Sequence, residues 1–346
     1  MKFYIEQVFK TKIAIFLYFL LNVSVVCAAN IESSSTKDNT HRQIETFIYK
    51  QVDNLEIKAD VYTYQSDKPQ PVILWIHGGA LIMGSRKGPL PAVNQLEEYL
   101  RAGYVLVSID YRLAPETKLK EIVEDVEDAY AWIRGSGPEL FNIDPDRIAV
   151  MGMSAGGGYL TLTAGFRLIP APQALVSFYG YGDITGEWYS QPYTFYRETR
   201  PLVSRSSVID SVSGSAIANT DHLNKEQIAK RAEFYIYCRQ NGLWPLEVSG
   251  HDPGEKLNWF KEFEARQNIT EKYPPTMLLH GEKDTDVLFE QSVLMAEELG
   301  RHDVEYEFIS EPHWEHGFDY KDEDKTVEQA HKRVLKFLDK HLGIAE

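Results

Sequence analysis

Gly152-Met153-Ser154-Ala155-Gly156-Gly157-Gly158 follows directly on the apolar run Ile148-Ala149-Val150-Met151 and directly precedes a helical pattern. A Gly-x-Ser-x-Gly pentapeptide between a buried strand and a helix reads as a nucleophile elbow. Glycines on both sides allow a turn too tight for a Cβ, and the serine hydroxyl is lifted above the sheet edge beside the positive end of the next helix. The plainer alternative is a glycine-rich strand-to-helix turn carrying an incidental serine. The strand before it and the helix after it argue against that.

Outward from this turn, continuous apolar runs at Val72–Ile76, Tyr104–Ile109, Arg147–Met151, Ala174–Phe178, Thr276–Leu279 and Val304–Ile309 predict strands buried on both faces. Ile44–Lys50 and Leu55–Tyr64 alternate around Asp53-Asn54 and predict a half-exposed antiparallel hairpin. Helical periodicity falls between the strands, at Ala92–Ala102, Leu119–Arg134, Ala155–Phe166, Val287–Leu299 and Thr326–Leu342. Buried strands alternating with helices predict an α/β fold with a mostly parallel central sheet flanked by helices. Residues 181–272 break the rhythm. They are too many for a plain loop, and we read them as an insertion or lid before the strand at Thr276, with a helix near Lys225–Tyr237.

Three further segments bear on chemistry. His77-Gly78-Gly79-Ala80 ends the strand Val72–Ile76, where small residues let backbone N–H groups approach a substrate; with the N–H of Ala155 they would form an oxyanion hole. His77 itself reads as a loop-holding residue. A serine nucleophile needs a base, and the base an orienting carboxylate. The strand Thr276–Leu279 leads into His280-Gly281-Glu282-Lys283-Asp284-Thr285-Asp286-Val287, which offers Asp284, Asp286 and Glu282. Asp286 also suits the start of the helix that follows. The last core strand leads into Glu311-Pro312-His313-Trp314-Glu315-His316-Gly317-Phe318, which offers His313 and His316, with Asp319 as a neighbour. His331 and His341 fall in the C-terminal helix and are expected at the surface. No matched cluster accompanies His313 and His316, so no metal is expected.

His77–Ala80, Asp110-Tyr111-Arg112-Leu113-Ala114-Pro115-Glu116 and Gly152–Gly157 together resemble the hormone-sensitive-lipase-like esterases of the α/β-hydrolase superfamily, by motif and element order from Pro71 to Leu342. The family's His-Gly-Gly-Gly loop here carries Ala80 in its last place, which still supplies an N–H. The resemblance implies an α/β-hydrolase fold and a triad of Ser154, Asp284 and His316. It also implies oxyanion donors at Gly79, Ala80 and Ala155, Asp110 and Arg112 as a structural pair, and hydrolysis of small acyl esters without a cofactor. A serine peptidase of this fold, or a binding protein on an inactive hydrolase scaffold, are the competing classes. The intact His77–Ala80 loop speaks against the first and the complete triad against the second.

Composition sets the remaining bounds. The chain has 346 residues, 43% hydrophobic and 25% charged, with a net charge of −15, so it is globular and poorly suited to binding nucleic acid. Residues 1–28 pair a lysine-rich start with the apolar run Ile13–Val26 and small residues at Ala28-Ala29. They read as an export signal, too short for a membrane span, with lipid attachment at Cys27 disfavoured by the bulk of Val26. Their loss would leave Cys238 as the sole cysteine and the charge at −17. Residues 29–43 read as a flexible tether to a catalytic domain spanning 44–346. Eight aromatic residues lie between Phe178 and Tyr196. Tyr181, Trp188 and Tyr189 among them are candidates for a platform under a sugar ring or aryl group, which points to a small-molecule or glycan ester; the alternative is that the rings glue the insertion to the sheet.

Overall fold

The apolar runs assemble into one eight-stranded sheet in a computed structural model that describes residues 42–88, 90, 93–321 and 324–343. The expected export signal, Cys27 and nearly all of the tether lie outside the described residues. The strands are β1 (Gln43–Val52), β2 (Leu55–Thr63), β3 (Gln70–Ile76), β4 (Val105–Ile109), β5 (Ile143–Met153), β6 (Ala174–Phe178), β7 (Thr276–Gly281) and β8 (Tyr306–Glu311). Their order is β1-β2-β4-β3-β5-β6-β7-β8. Only β1–β2 and β2–β4 pair antiparallel; the pairs from β4 to β8 are parallel. Every residue of β3, β4 and β6 is buried, as continuous apolar runs covered on both faces require.

Helices cover both faces: α1 (Val93–Arg101), α2 (Leu119–Phe141), α3 (Tyr159–Arg167), α4 (Lys225–Asn241), α5 (Glu290–Arg301) and α6 (Lys325–Leu342). Two separate apolar clusters result, one on each side of the sheet. No helix among the described residues is long and apolar enough to cross a membrane.

Helix boundaries depart from the sequence pattern for identifiable reasons. Helix α2 runs past Arg134 and through Pro138, because its last residue, Phe141, packs on Phe47 and Trp132 at ring distances of 5.8 and 5.6 Å. Helix α5 starts at Glu290 rather than Val287. The amides of Asp286 and Val287 are held outside it by the carboxylate of Asp284, at 2.8 and 3.0 Å. Residues 154–158 form a π-type turn ahead of α3. His331, expected at the surface, is buried and stacks on Phe178 with ring centroids 5.5 Å apart, because α6 turns that face onto the sheet. His341 lies half-buried on the same helix.

Residues 181–272 form the layer between β6 and β7. Their longest helix, α4, opens with a capping box between Asn224 and Gln227 and closes at Gly242 in the left-handed region. Two arginines one helical face apart tie it down. Arg231 donates to Glu116 at 2.6 and 3.0 Å, to the Ile82 carbonyl at 2.8 Å and to the Ala114 carbonyl at 2.9 Å. Arg239 donates to Asp286 at 3.0 Å.

Candidate active site

Strand β5 ends at Met153, and Ser154 takes a left-handed φ of 61°, an uncommon conformation for a residue with a side chain. The turn is possible because the glycines at 152 and 156–158 lack side chains. A Cβ on Gly157 would lie 1.9 Å from the Ile76 carbonyl oxygen at the end of β3. We expect Gly157→Ala to push the elbow off β3 and to lower kcat/KM by about 100-fold, the cost of an ångström-scale misplacement, with a lower urea midpoint. Rates and a midpoint equal to the parent's would contradict this.

Three loops at the carboxyl ends of parallel strands bring the expected triad together. Ser154 Oγ lies 2.8 Å from His316 Nε2, and His316 Nδ1 lies 2.7 Å from Asp284 Oδ2. Asp284 is nearly fully buried, and its Oδ1 accepts from the Asp286 and Val287 amides. Its other oxygen is 3.3 Å from His280 Nε2, and His280 in turn meets Ser292 Oγ at 2.7 Å. Burial alone would raise the Asp284 pKa. The charge of His316 and hydrogen bonds from His280 and His316 outweigh that and hold it well below the ordinary carboxylate range.

The other candidates fall elsewhere. His313 is half-exposed and meets Asp324 at 2.8 Å, at the start of α6. Asp286 does not touch His316 Nδ1; its Oδ2 lies 3.6 Å from Nε2. Glu282 meets Ser310 Oγ at 3.1 Å. Asp319, the expected neighbour, is buried and accepts from Tyr179 OH at 2.7 Å, and the Tyr179 ring lies 4.6 Å from that of His316.

Burial works against a charged His316. The charge and hydrogen bond of Asp284, followed by the charges of Asp286 and Asp319, more than compensate and lift its pKa to about 9. A base must be neutral to take a proton. The kcat/KM for an ester should therefore rise with pH on a limb whose midpoint lies above the ordinary histidine value of about 6.5. Asp286→Asn should move that limb to lower pH, and a pH–rate profile of both proteins checks it.

The His77–Ala80 loop lies against the elbow: a Cβ on Gly78 would be 3.1 Å from Ser154 Cβ. Gly79, Ala80 and Leu81 have φ values of 104°, 53° and 59°. Gly79 permits this fold-back because a Cβ there would sit 2.0 Å from the Met83 carbonyl oxygen. Among the described residues, no acceptor takes the N–H of Gly79 or Ala80. His77 is buried, stacks on Tyr111 at 4.3 Å, and is pushed by burial down to a pKa of about 4, which suits a structural residue. Ala155 follows Ser154 in the turn.

Two expectations need correction. Asp110 and Arg112 do not pair with each other. Asp110 meets Arg86 at 2.7 Å, and Arg112 meets Asp125 of α2 at 2.8 Å, so each is neutralised by a residue distant in sequence. Tyr181, Trp188 and Tyr189 do not form an open platform. Tyr181 and Tyr189 are fully buried and Trp188 is 8% exposed. Tyr181 stacks on Tyr159 at 4.9 Å, and Tyr189 lies 4.5 Å under the Arg239 guanidinium. The rings bind the insertion to the sheet and enclose Arg239, which Tyr193 and Tyr196 also flank at 4.9 and 5.2 Å. Arg239, Tyr196, Tyr235 and Tyr179 went unassigned in the sequence. The cluster of rings was visible there, but not the cation at its centre. Among the described residues no group of three or more His, Cys, Asp or Glu could hold a metal ion.

A parallel sheet carrying a serine elbow, with a histidine and an acid on the loops after its last strands, defines an α/β hydrolase. A family model described as alpha/beta hydrolase fold matches residues 73–320, and the chain belongs to that family. It is 29% identical over 356 residues to the non-reducing polyketide synthase pkbA of Emericella nidulans, covering 87% of this chain and 14% of that protein. The chain thus spans a small part of the curated relatives it matches. A structure of a protein of unknown function from Staphylococcus aureus Mu50 is similar with a TM-score of 0.67 and 25% identity, covering 87% of this chain and 99% of that one. An acetyl ester-xyloside bifunctional hydrolase from Caldicellulosiruptor lactoaceticus shares the fold at a TM-score of 0.61 and 20% identity, over 87% and 97% of the two chains.

Proposed function

We propose that the chain is a serine carboxylic-ester hydrolase that works through an acyl-enzyme on small acyl esters, with acetylated and aryl-esterified carbohydrates among the substrates to be tried. The observation carrying this reading is the continuous hydrogen-bonded series Ser154–His316–Asp284, with distances of 2.8 and 2.7 Å. His316 takes the Ser154 proton as Oγ attacks the ester carbonyl. The N–H groups of Gly79, Ala80 and Ala155 receive the oxyanion, which in acyl transfer is worth on the order of 10²–10³ in rate per donor. His316 then protonates the leaving alcohol. Water, deprotonated by His316, releases the acid and restores Ser154. Residues 1–28 would export the enzyme, which fits a substrate met outside the cell.

The test pairs fluorophosphonate labelling of Ser154 with a screen of ester chain lengths, acetylated and feruloylated glycans, and aminoacyl anilides. Labelling with hydrolysis of short esters is expected. Anilide cleavage outpacing ester cleavage would make the chain a peptidase, and absence of labelling a binding protein.

A further inference from the structure

Asp286 lies beside the triad without belonging to it. Its Oδ1 is saturated: Tyr196 OH donates at 2.9 Å, Tyr235 OH at 2.7 Å and Arg239 at 3.0 Å. Its Oδ2 has no donor within hydrogen-bond distance among the described residues and stands 3.6 Å from His316 Nε2, the nitrogen that meets Ser154 Oγ. The side chain keeps 12% of its surface exposed. We propose that Asp286 is a specificity-determining residue, a fixed acceptor for a hydroxyl or ammonium group on the alcohol side of the ester, a role that rests on the ester-hydrolase reading above.

The argument is one of position and chemistry. His316 Nε2 must hand its proton to the leaving oxygen, so the alcohol passes within hydrogen-bond reach of that nitrogen. An oxygen 3.6 Å from the same nitrogen flanks the alcohol and not the far end of the acyl chain. An ionised carboxylate only accepts hydrogen bonds, and bonds to a charged acceptor are the strong ones. It therefore favours a donor on the carbon beside the ester-bearing carbon, as in a polyol, sugar or amino alcohol, and disfavours a second carboxylate. Three donors on Oδ1 fix the carboxylate before substrate arrives, so little ordering is needed on binding.

The test measures kcat/KM of the full chain on acetate esters of ethylene glycol, 2-methoxyethanol and glycolate. The methoxy ester matches the electron withdrawal of the glycol ester but lacks its donor. In the parent protein the glycol ester is expected to exceed the methoxy ester by about tenfold, the size of one charge-assisted hydrogen bond, with the glycolate ester slowest. In Asp286→Asn these ratios should contract toward one and the glycolate ester should recover. Equal rates for the glycol and methoxy esters in the parent protein would overturn the assignment, even if the variant failed to fold. Unchanged ratios in a folded variant would overturn it as well. Both outcomes are distinct from failure of the ester-hydrolase reading, which would appear as no labelling of Ser154 and no hydrolysis of any ester.

Discussion

Ser154→Ala and His316→Ala are each expected to remove nearly all ester hydrolysis, by about four to six orders of magnitude in kcat. The two should not add. Oγ and Nε2 are 2.8 Å apart and act as one unit, so the nucleophile without its base is almost as ineffective as the base without its nucleophile. A residual rate above the uncatalysed one should survive in both variants, because the His77–Ala80 loop is untouched. Steady-state kinetics on a short p-nitrophenyl ester, with the double variant alongside, reads all three values. Parent-like activity in His316→Ala would transfer the base to another residue. His313 would need a large movement to qualify, since it is engaged with Asp324 at the far end of its loop. Neither substitution should unfold the chain, as both side chains sit at the carboxyl edge of the sheet and not within its apolar layers.

The largest stability effect should come from Arg239→Met. Arg239 is fully buried, bridges to Asp286 at 3.0 Å, and is ringed by aromatic faces. Removing one member of a buried pair leaves the other without compensation and costs roughly 3–5 kcal/mol. Methionine keeps only the apolar stem, so the loss includes the bonds of the guanidinium to Asp286 and Tyr235 and its contacts with the rings. Asp286→Asn in the same background should restore part of that stability, because the stranded carboxylate is neutralised. Urea unfolding of the parent, both single variants and the double variant gives the coupling. A sum of single effects equal to the double would show that the pair is not energetically linked.

Much of this molecule was readable before the structure. Fully buried strands announce themselves as unbroken apolar runs, and β3, β4 and β6 were placed to within two residues for that reason. The elbow marked Ser154, and the family resemblance picked Asp284 and His316 from the acids and histidines of two loops that the structure brings beside it. What escaped was set by contacts between residues distant in sequence. The start of α5 depends on the Asp284 side chain taking two amides. The partners of Asp110 and Arg112 depend on where the fold brings Arg86 and Asp125. The aromatic cluster misled because ring content does not say which way the rings face; Arg239, far along the chain, decides that they close inward. Helix α4, by contrast, was expected near Lys225–Tyr237 and runs over Lys225–Asn241, although it buries Arg231, Arg239 and Gln240 within its packed face.

The two arginines of α4 have one further consequence. Arg231 grips the carbonyls beside the loop that would receive the oxyanion, and Arg239 grips the loop that carries the acid. The two halves of the site are thus held at a common distance by a single helix that contains no triad residue. Order in the helix and order in the site are one equilibrium, so a cut or a solvent that loosens residues 225–241 would silence the enzyme while the sheet beneath it stays folded.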